Sequence, residues 1–281
     1  MKIVCLIQNQ PPLVAFANRV HAQHPLDLVI IEGRLRRKVS SLPRRIINKL
    51  KTQGPGALLS TLCSRLLSRS ENCLTNQHDV LTHWFGENWQ KIAADVPVLW
   101  VDDINGAEAQ KKLKDMKADV LLDHGTSILA KEIISEAALA LNLHWGLSPY
   151  YRGTHCTEWA LVNWDPLNIG VTIHKLSQQI DGGDIVGQAR AAITPQDTVY
   201  SINMQLTHLG TEIVMQVLDR QKAGNELTFH RQDLSNGLLT RQRQWSPHLE
   251  QYVAELEQNG GIDRMLKSPA RRTQLPIVSL G

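Results

Sequence analysis

The order of short apolar runs at the start of the chain constrains the fold more than any other feature. Residues 2–7 form a β-branched run that ends before Pro11-Pro12, residues 13–23 have apolar side chains at helical spacing, and residues 26–31 are again apolar. A strand, a helix and a second strand in this order are typical of the start of a parallel α/β fold. The chain is therefore predicted to be an α/β protein with a mostly parallel sheet.

The pattern resumes after a basic segment, residues 34–69, which contains no acidic residue and is predicted to carry helices at 44–51 and 57–69. This segment is an insertion or an excursion from the sheet. Further strands are predicted at 97–101, 119–122, 141–144, 170–175, 185–192 (antiparallel) and 227–230, and further helices at 106–117, 128–139, 155–163, 199–222 and 247–258.

The character of the sequence changes near residue 200. We therefore expect a main domain of residues 1–200 and a C-terminal extension of residues 201–281, which is helical or mixed and serves as an accessory or dimerising module.

Composition excludes several classes of protein. Apolar residues make up 42% of the 281 positions and charged residues 20%, so a packed core is expected rather than global disorder. The four cysteines are scattered, without zinc-site spacing, and are interpreted as reduced thiols; no metal is expected. The N-terminal run is too short for a signal peptide and no stretch reaches 18 apolar residues, so a cytoplasmic protein is expected.

Two polar residues alternate with leucines at the end of a predicted strand, in Leu141-Asn142-Leu143-His144. Alternation places Asn142 and His144 on one face, and at the carboxyl edge of a parallel sheet that face borders the ligand crevice. An amide and an imidazole suit stabilisation of an oxyanion and movement of protons. The alternative is a pair of structural, hydrogen-bonded side chains.

A tight Asp-Gly-Gly-Asp turn contains Asp181, whose carboxylate could orient a nearby imidazole; the alternative is a hairpin turn with solvated acids. Arg152, in the loop after the Asn142 strand, is a candidate substrate-binding residue for a phosphate, or ties its loop through carbonyl contacts.

Together these features resemble the folate-dependent formyltransferases. The matching motifs are Asn142-Leu143-His144, Pro149-Tyr150-Tyr151-Arg152-Gly153, Gly170-Val171-Thr172-Ile173-His174 and Ile180-Asp181-Gly182-Gly183-Asp184-Ile185. The resemblance is good over residues 95–200 and weaker over residues 1–32. It implies a Rossmann-like catalytic domain, 10-formyltetrahydrofolate as the formyl donor, and Asn142, His144 and Asp181 as the catalytic residues.

The resemblance also implies where the donor binds. Its pterin pocket is lined largely by backbone of two segments, which correspond here to Ser127, Ile128 and Leu129 and to Ser177, Ile180 and Asp181. His174 matches a family position as well and is interpreted as structural. Where the family often has His-Pro-Ser this chain has His144-Trp145-Gly146, so Trp145 is either core packing or a substrate-binding wall of the acceptor pocket.

The acceptor amine remains open within the resemblance. A Gly-rich phosphate loop is absent after the first strand, which disfavours a purine-pathway acceptor, and residues 201–281 are short for the extra domain of initiator methionyl-tRNA enzymes. The favoured acceptor is a nucleotide-linked amino-deoxysugar, as in bacterial polysaccharide biosynthesis by dimeric enzymes. The alternative acceptors are a small amine of the hydroxyornithine type and initiator methionyl-tRNA. The non-enzymatic alternative is a binding module whose formyltransferase fold has lost its catalytic activity.

Overall fold

The computed structural model describes residues 1–33, 71–235, 237–269 and 273–280, so the basic segment and its predicted helices at 44–51 and 57–69 lie outside the described residues. The strands are β1 (Ile3–Gln8), β2 (Leu28–Glu32), β3 (Val98–Val101), β4 (Ala118–His124), β5 (Ala137–His144), β6 (Tyr151–Gly153), β7 (Gly170–Lys175), β8 (Ile185–Arg190) and β9 (Leu238–Thr240). The α-helices are α1 (Pro11–Gln23), α2 (Glu71–Phe85), α3 (Ala107–Met116), α4 (Lys131–Ile134), α5 (Cys156–Val162), α6 (Val199–Lys222), α7 (Pro247–Gln258) and α8 (Gly261–Lys267).

A seven-stranded sheet in the order β3-β2-β1-β4-β5-β7-β8 forms the centre of the molecule. Strands β3, β2, β1, β4 and β5 run parallel, whereas β7 and β8 are antiparallel additions. The predicted α/β fold with a mostly parallel, Rossmann-like sheet is therefore confirmed. Because the chain winds outward from β1 in both directions, the carboxyl ends of β1 and β4 flank a crevice of the kind that binds ligands.

Helices cover both faces of this sheet, which explains why its central strands are continuously apolar. On one face Cys5 and Ile7 of β1 pack in the same core as Phe16 of α1 and Leu206 of α6. On the other face Val4 and Leu6 pack with Leu113 of α3. The sheet is consequently held rigid beneath the crevice.

Helix α6 begins beside the expected domain boundary at residue 200 and packs on the main sheet. Thr198 caps its first turn by a reciprocal pair of hydrogen bonds with Ser201. Its apolar side chains Ile202, Val214 and Leu218 belong to the same core as β1 and α1. The two-domain division stays a prediction, but residues on both sides of it share one core.

One predicted element is wrong. A helix was expected over residues 128–139, but α4 ends at Ile134 and residue 137 already begins strand β5. Parallel pairing with β4, which places Leu139 opposite Val120, outweighs the local helix preference of the Ala- and Leu-rich sequence. The predicted strand at 227–230 is reduced to a single backbone bridge between His230 and Ile185.

Candidate active site

A cleft of about 740 Å³ lies at the carboxyl ends of β4 and β5. One side is lined by residues 123–129 and 176–181, which we call the donor side. The opposite side, which we call the acceptor side, is lined by residues 153–158 and 240–242 together with Trp145 and Asn203. The volume is within the usual range of about 300–1,000 Å³ for small-molecule sites.

The end of β5 delivers two of the predicted catalytic side chains to the floor of this cleft. Asn142 and His144 both line it, and His144 is buried with only 7% of its surface exposed. In the sheet Asn142 lies between Asp123 of β4 and His174 of β7. The alternation read from the sequence therefore places both side chains where a ligand can reach them.

Asp181 completes the cluster from the turn that follows β7. Its Oδ2 accepts a hydrogen bond from the Gly153 backbone N–H at 2.7 Å and lies 3.5 Å from His144 Nδ1. Its Oδ1 lies 3.4 Å from Asn142 Nδ2 and 3.6 Å from His174 Nε2. The four side chains therefore form one polar cluster around a single carboxylate.

The backbone around Asp181 explains the composition of its turn. Asp181 itself has a left-handed φ of 46°. A Cβ on Gly183 would lie 1.8 Å from the Lys175 carbonyl oxygen, so only glycine fits there. Gln232, from the segment after α6, fixes the turn by donating hydrogen bonds from Nε2 to the Asp181 and Gly183 carbonyls.

The pKa values of Asp181 and His144 are shifted by burial and by their neighbours. Burial alone would raise the pKa of Asp181, but His144, His174 and the Gly153 N–H outweigh it, and the pKa lies well below its usual range. Burial lowers the pKa of His144, with the Asp181 charge opposing this shift. At neutral pH the cluster therefore contains an ionised carboxylate beside a neutral imidazole.

His144 is confined on both edges of its ring. Besides Asp181 at Nδ1, its Nε2 lies 3.1 Å from the Tyr151 carbonyl oxygen and 3.6 Å from Cys156 Sγ. A Cβ on Gly146 would approach Nε2 to 2.4 Å. Gly146 is thus required by the position of the ring. Because both nitrogens face acceptor atoms, a proton gained by His144 would be hydrogen-bonded at once.

His174 orients the Asn142 amide. Its Nδ1 lies 2.8 Å from the Lys175 carbonyl oxygen, to which it donates, and this leaves Nε2 to accept a hydrogen bond from Asn142 Nδ2 at 3.3 Å. This contact agrees with the interpretation of His174 as a structural residue. Because its side chain also lies beside Asp181, His174 helps to position two of the predicted catalytic side chains.

The predicted donor-binding residues all lie on the donor side, where Ser127, Ile128, Leu129, Ser177 and Ile180 line the cleft. Ile128 is 74% exposed. The Ser127 N–H already donates to Glu32 and the Ile128 carbonyl accepts from Asn105. These two bonds hold the 127–129 segment in place.

The two candidate substrate-binding residues differ in placement. Trp145 lines the cleft, donates from Nε1 to Thr207 at 3.0 Å and packs edge-to-face on His124. Arg152 is 7% exposed, does not border the cleft, and donates weakly at 3.4 Å to the Ile180 and Leu234 carbonyls. This geometry favours Arg152 as a tie between its loop and the Asp181 turn.

Sequence reasoning missed four residues of the site: Asp123, His124, Cys156 and Gln232. Asp123 and His124 follow directly on the predicted strand at 119–122, and the same edge-of-sheet argument that selected Asn142 would have selected them. Gln232 had no local signal, because its role depends on a contact with a turn 51 positions away.

Within the described ranges, no group of three or more His, Cys, Asp or Glu residues is arranged to hold a metal ion. Likewise, no helix in that part of the chain is both long and apolar enough to cross a membrane.

The fold and the buried cluster define an α/β protein with an Asn–His–Asp site at the carboxyl edge of a Rossmann-like sheet. Residues 102–218 match the family described as formyl transferase, which confirms the resemblance that the four motifs indicate. The matched segment contains Asn142, His144 and Asp181.

Known proteins agree with this match. A methionyl-tRNA formyltransferase from Chlorobium chlorochromatii (strain CaD3) is 34% identical over 143 residues, which is 50% of this chain and 45% of that protein. The chain thus matches less than half the length of this curated relative.

Two solved structures share the architecture. A 4-N formyltransferase from Francisella tularensis has a TM-score of 0.52 at 15% identity, covering 86% of this chain and 77% of its own. The N-formyltransferase from Helicobacter canadensis, in complex with folinic acid and dTDP-3-aminofucose, has a TM-score of 0.52 at 14% identity, with 88% and 73% covered. At these identities the likeness establishes the fold.

Proposed function

We propose that this chain is an N-formyltransferase that transfers a formyl group from 10-formyltetrahydrofolate to the amine of a nucleotide-linked amino-deoxysugar. The observation that carries the proposal is the convergence of Asn142 and His144 on the ionised Asp181 at the floor of the cleft. An amide donor, an imidazole and a carboxylate are the groups that acyl transfer to an amine requires.

The catalytic roles follow from the contacts. Asn142 donates an N–H to the oxygen of the formyl group as the amine attacks its carbon; its bond to Asp181 is long, at 3.4 Å, so one N–H can turn to this oxygen at small cost. Asp181 receives the proton that the amine loses. His144, held between Asp181 and the Tyr151 carbonyl, takes this proton from Asp181 and as an imidazolium helps to neutralise the oxyanion. It then gives the proton to the folate nitrogen as the bond between that nitrogen and the formyl carbon breaks.

The donor side suits a flat heterocycle with a long tail. It is open, lined by the 127–129 and 177–180 segments, and continuous with the catalytic cluster. Family membership of residues 102–218 and the folinic acid in the structurally similar Helicobacter canadensis protein support a formyl-folate as the donor.

Two observations bear on the acceptor. The structurally similar protein from Helicobacter canadensis was solved with dTDP-3-aminofucose, and this favours an amino-sugar acceptor. A homodimer formed through residues 201–281 is a further part of the proposal. The 34% identical relative is a methionyl-tRNA formyltransferase, and this favours initiator methionyl-tRNA as the second candidate. A small amine of the hydroxyornithine type is the third. For each acceptor we propose that the reaction takes place in the cytoplasm.

The decisive experiment is an acceptor screen. The purified chain is incubated with 10-formyltetrahydrofolate and, separately, with dTDP- and UDP-linked 3- and 4-amino-dideoxysugars, hydroxyornithine, and charged initiator tRNA. Mass spectrometry should detect replacement of an amine hydrogen by a formyl group on an amino sugar. Formylation of tRNA alone would replace the acceptor assignment. Binding of folinic acid without any formylated acceptor would instead support a binding module.

The proposed catalytic roles predict a large effect of Asp181→Asn, which keeps an acceptor for the Gly153 N–H but removes the charge. Turnover should fall by about 100- to 10,000-fold, as is typical for loss of a general base. The matched control is Asp119→Asn, an exposed position at the opposite end of β4. Near-normal turnover of Asp181→Asn, with the control also active, would contradict the assignment.

A further inference from the structure

A second buried carboxyl group lines the donor side of the cleft and is not used by the roles assigned so far. Asp123, near the end of β4, is 7% exposed and lies beside Asn142 in the sheet. Leu121 and Leu122, which precede it in β4, are buried in the core. A polar side chain at this position borders whatever binds between the two halves of the sheet.

Asp123 has a hydrogen bond but no cationic partner among the described residues. The Thr126 hydroxyl donates to its Oδ1 at 2.5 Å, and no Lys or Arg of this part of the chain forms an ion pair with it. A buried carboxylate without a cation is costly, so such a group tends to hold its proton.

The two neighbouring carboxylates also favour the protonated form of Asp123. Burial raises the pKa of Asp123 to about 7; the Thr126 hydrogen bond opposes this, the charges of Asp181 and Glu32 add to it, and His174 opposes it. The Thr126 hydroxyl has two acceptors, Asp123 Oδ1 at 2.5 Å and the Ser127 carbonyl at 3.1 Å. When it donates to the nearer one, Oδ1, the neutral carboxyl group carries its proton on Oδ2. The group is then a hydrogen-bond donor, which the backbone carbonyls of this segment cannot be.

We propose that Asp123 binds the heterocycle of the formyl donor by donating its carboxyl O–H to a ring nitrogen or carbonyl oxygen. This rests on the proposed function and adds to it a side chain that distinguishes the donor ring from other planar ligands. Thr126 sets the orientation of the carboxyl group, and Glu32 holds the adjoining Ser127 backbone through a 2.8 Å hydrogen bond.

The test compares Asp123→Asn with Asp123→Ala, using folinic acid as the probe and isothermal titration calorimetry from pH 5.5 to 8.5. Asparagine resembles the neutral carboxyl group, since its carbonyl can accept from Thr126 and its amide can donate. It should therefore retain wild-type affinity at pH 5.5. Alanine should weaken binding by about 10- to 100-fold, as expected for a polar ligand atom left without its partner. Asp119→Asn is again the control.

The pH dependence is the sharper readout. Wild-type affinity should be constant below about pH 6 and fall above pH 7 by at most about tenfold per unit, because the binding form loses its proton. Asp123→Asn leaves Glu32, Asp181 and His174 in place and should bind independently of pH. A slope that persists in that variant, or an Asn variant as weak as the Ala variant, would overturn the proposal.

Two controls separate the possible failures. Thermal melting establishes that both variants are folded; if the Ala variant is not, the pH profile of the Asn variant decides alone. Wild-type affinity in a folded Ala variant would overturn the role of Asp123 and leave the proposed function intact. Absence of folinic acid binding by the wild-type protein would overturn both.

Discussion

Gly146→Ala tests the geometry of the catalytic cluster without removing any functional group. In the structure a Cβ at this position would lie 2.4 Å from His144 Nε2, 2.6 Å from the Tyr151 carbonyl oxygen and 3.0 Å from Cys156 Cβ. Since ordinary carbon–nitrogen contacts are about 3.4–3.5 Å, the imidazole must move by about 1 Å, and the Tyr151 carbonyl and the Gly146 backbone must also separate.

A displacement of this size in a reacting group costs about 100-fold in rate, and overpacking a core costs about 1–3 kcal/mol in unfolding free energy. We therefore expect kcat to fall by about two orders of magnitude while the protein remains folded and still binds folinic acid. The control is Gly33→Ala, where the nearest atom to the new Cβ is 3.4 Å away.

Steady-state kinetics with the acceptor found in the screen measure the rate, and nitrogen-15 NMR of the histidine side chains reports the His144 environment directly. The reasoning is refuted if Gly146→Ala retains the wild-type kcat and an unchanged His144 resonance. An altered resonance with unchanged kcat would show instead that His144 need not occupy its observed position for turnover.

Two further substitutions probe stability. Tyr151→Phe removes the 2.8 Å hydrogen bond from the Tyr151 hydroxyl to Asp165, which is 1% exposed. Urea titrations should therefore show an unfolding free energy lower by about 1–3 kcal/mol. Turnover should persist, because the Tyr151 backbone carbonyl near His144 remains. Burial lowers the pKa of His124 to about 3, so the unfolded chain gains a proton below its ordinary value of about 6.5 and the folded state does not. The free energy of unfolding therefore decreases as pH falls below 6.5, by at most about 1.4 kcal/mol per pH unit. The variant His124→Phe keeps an aromatic ring packed on Phe16 but cannot gain a proton. It should flatten the decline in unfolding free energy between pH 6 and pH 4. An unchanged slope in that variant would assign the acid sensitivity to other groups.

Much of the parallel sheet could be predicted because its signals are local. A strand buried on both faces is expected to be apolar, and β1 and β2 are apolar up to their last residues, Gln8 and Glu32. Asn142 and His144 are polar residues at the carboxyl end of the otherwise apolar segment 141–144. Polar side chains at this edge of a parallel sheet indicate a ligand site or a hydrogen-bond network. The cluster around Asp181 was thus accessible from alternation, turn composition and the linked motifs.

The parts that escaped prediction depend on distant partners. Residues 137–140 are Ala- and Leu-rich and favour a helix by local preference, yet they extend β5 because β4 offers a pairing edge. Strands β6 and β9 have three residues each and exist only because they pair with each other across 87 positions. The strand end could have indicated Asp123 as a site residue, but its raised pKa depends on burial and on the charges of Asp181 and Glu32, which come from other segments.

The segment after α6 connects the cluster around Asp181 to the acceptor side of the cleft. Strand β9 pairs with β6, whose Gly153 donates the N–H that holds Asp181, and Thr240 approaches so closely that a Cβ on Gly153 would lie 1.8 Å from its carbonyl oxygen. Thr240, Arg241 and Gln242 then line the acceptor side of the cleft. These residues lie beyond the 102–218 segment that matches the family, whereas Asn142, His144 and Asp181 lie within it. The matched segment therefore supports the chemistry of formyl transfer, whereas the acceptor side combines residues of that segment, such as 153–158, with residues 240–242 that follow it.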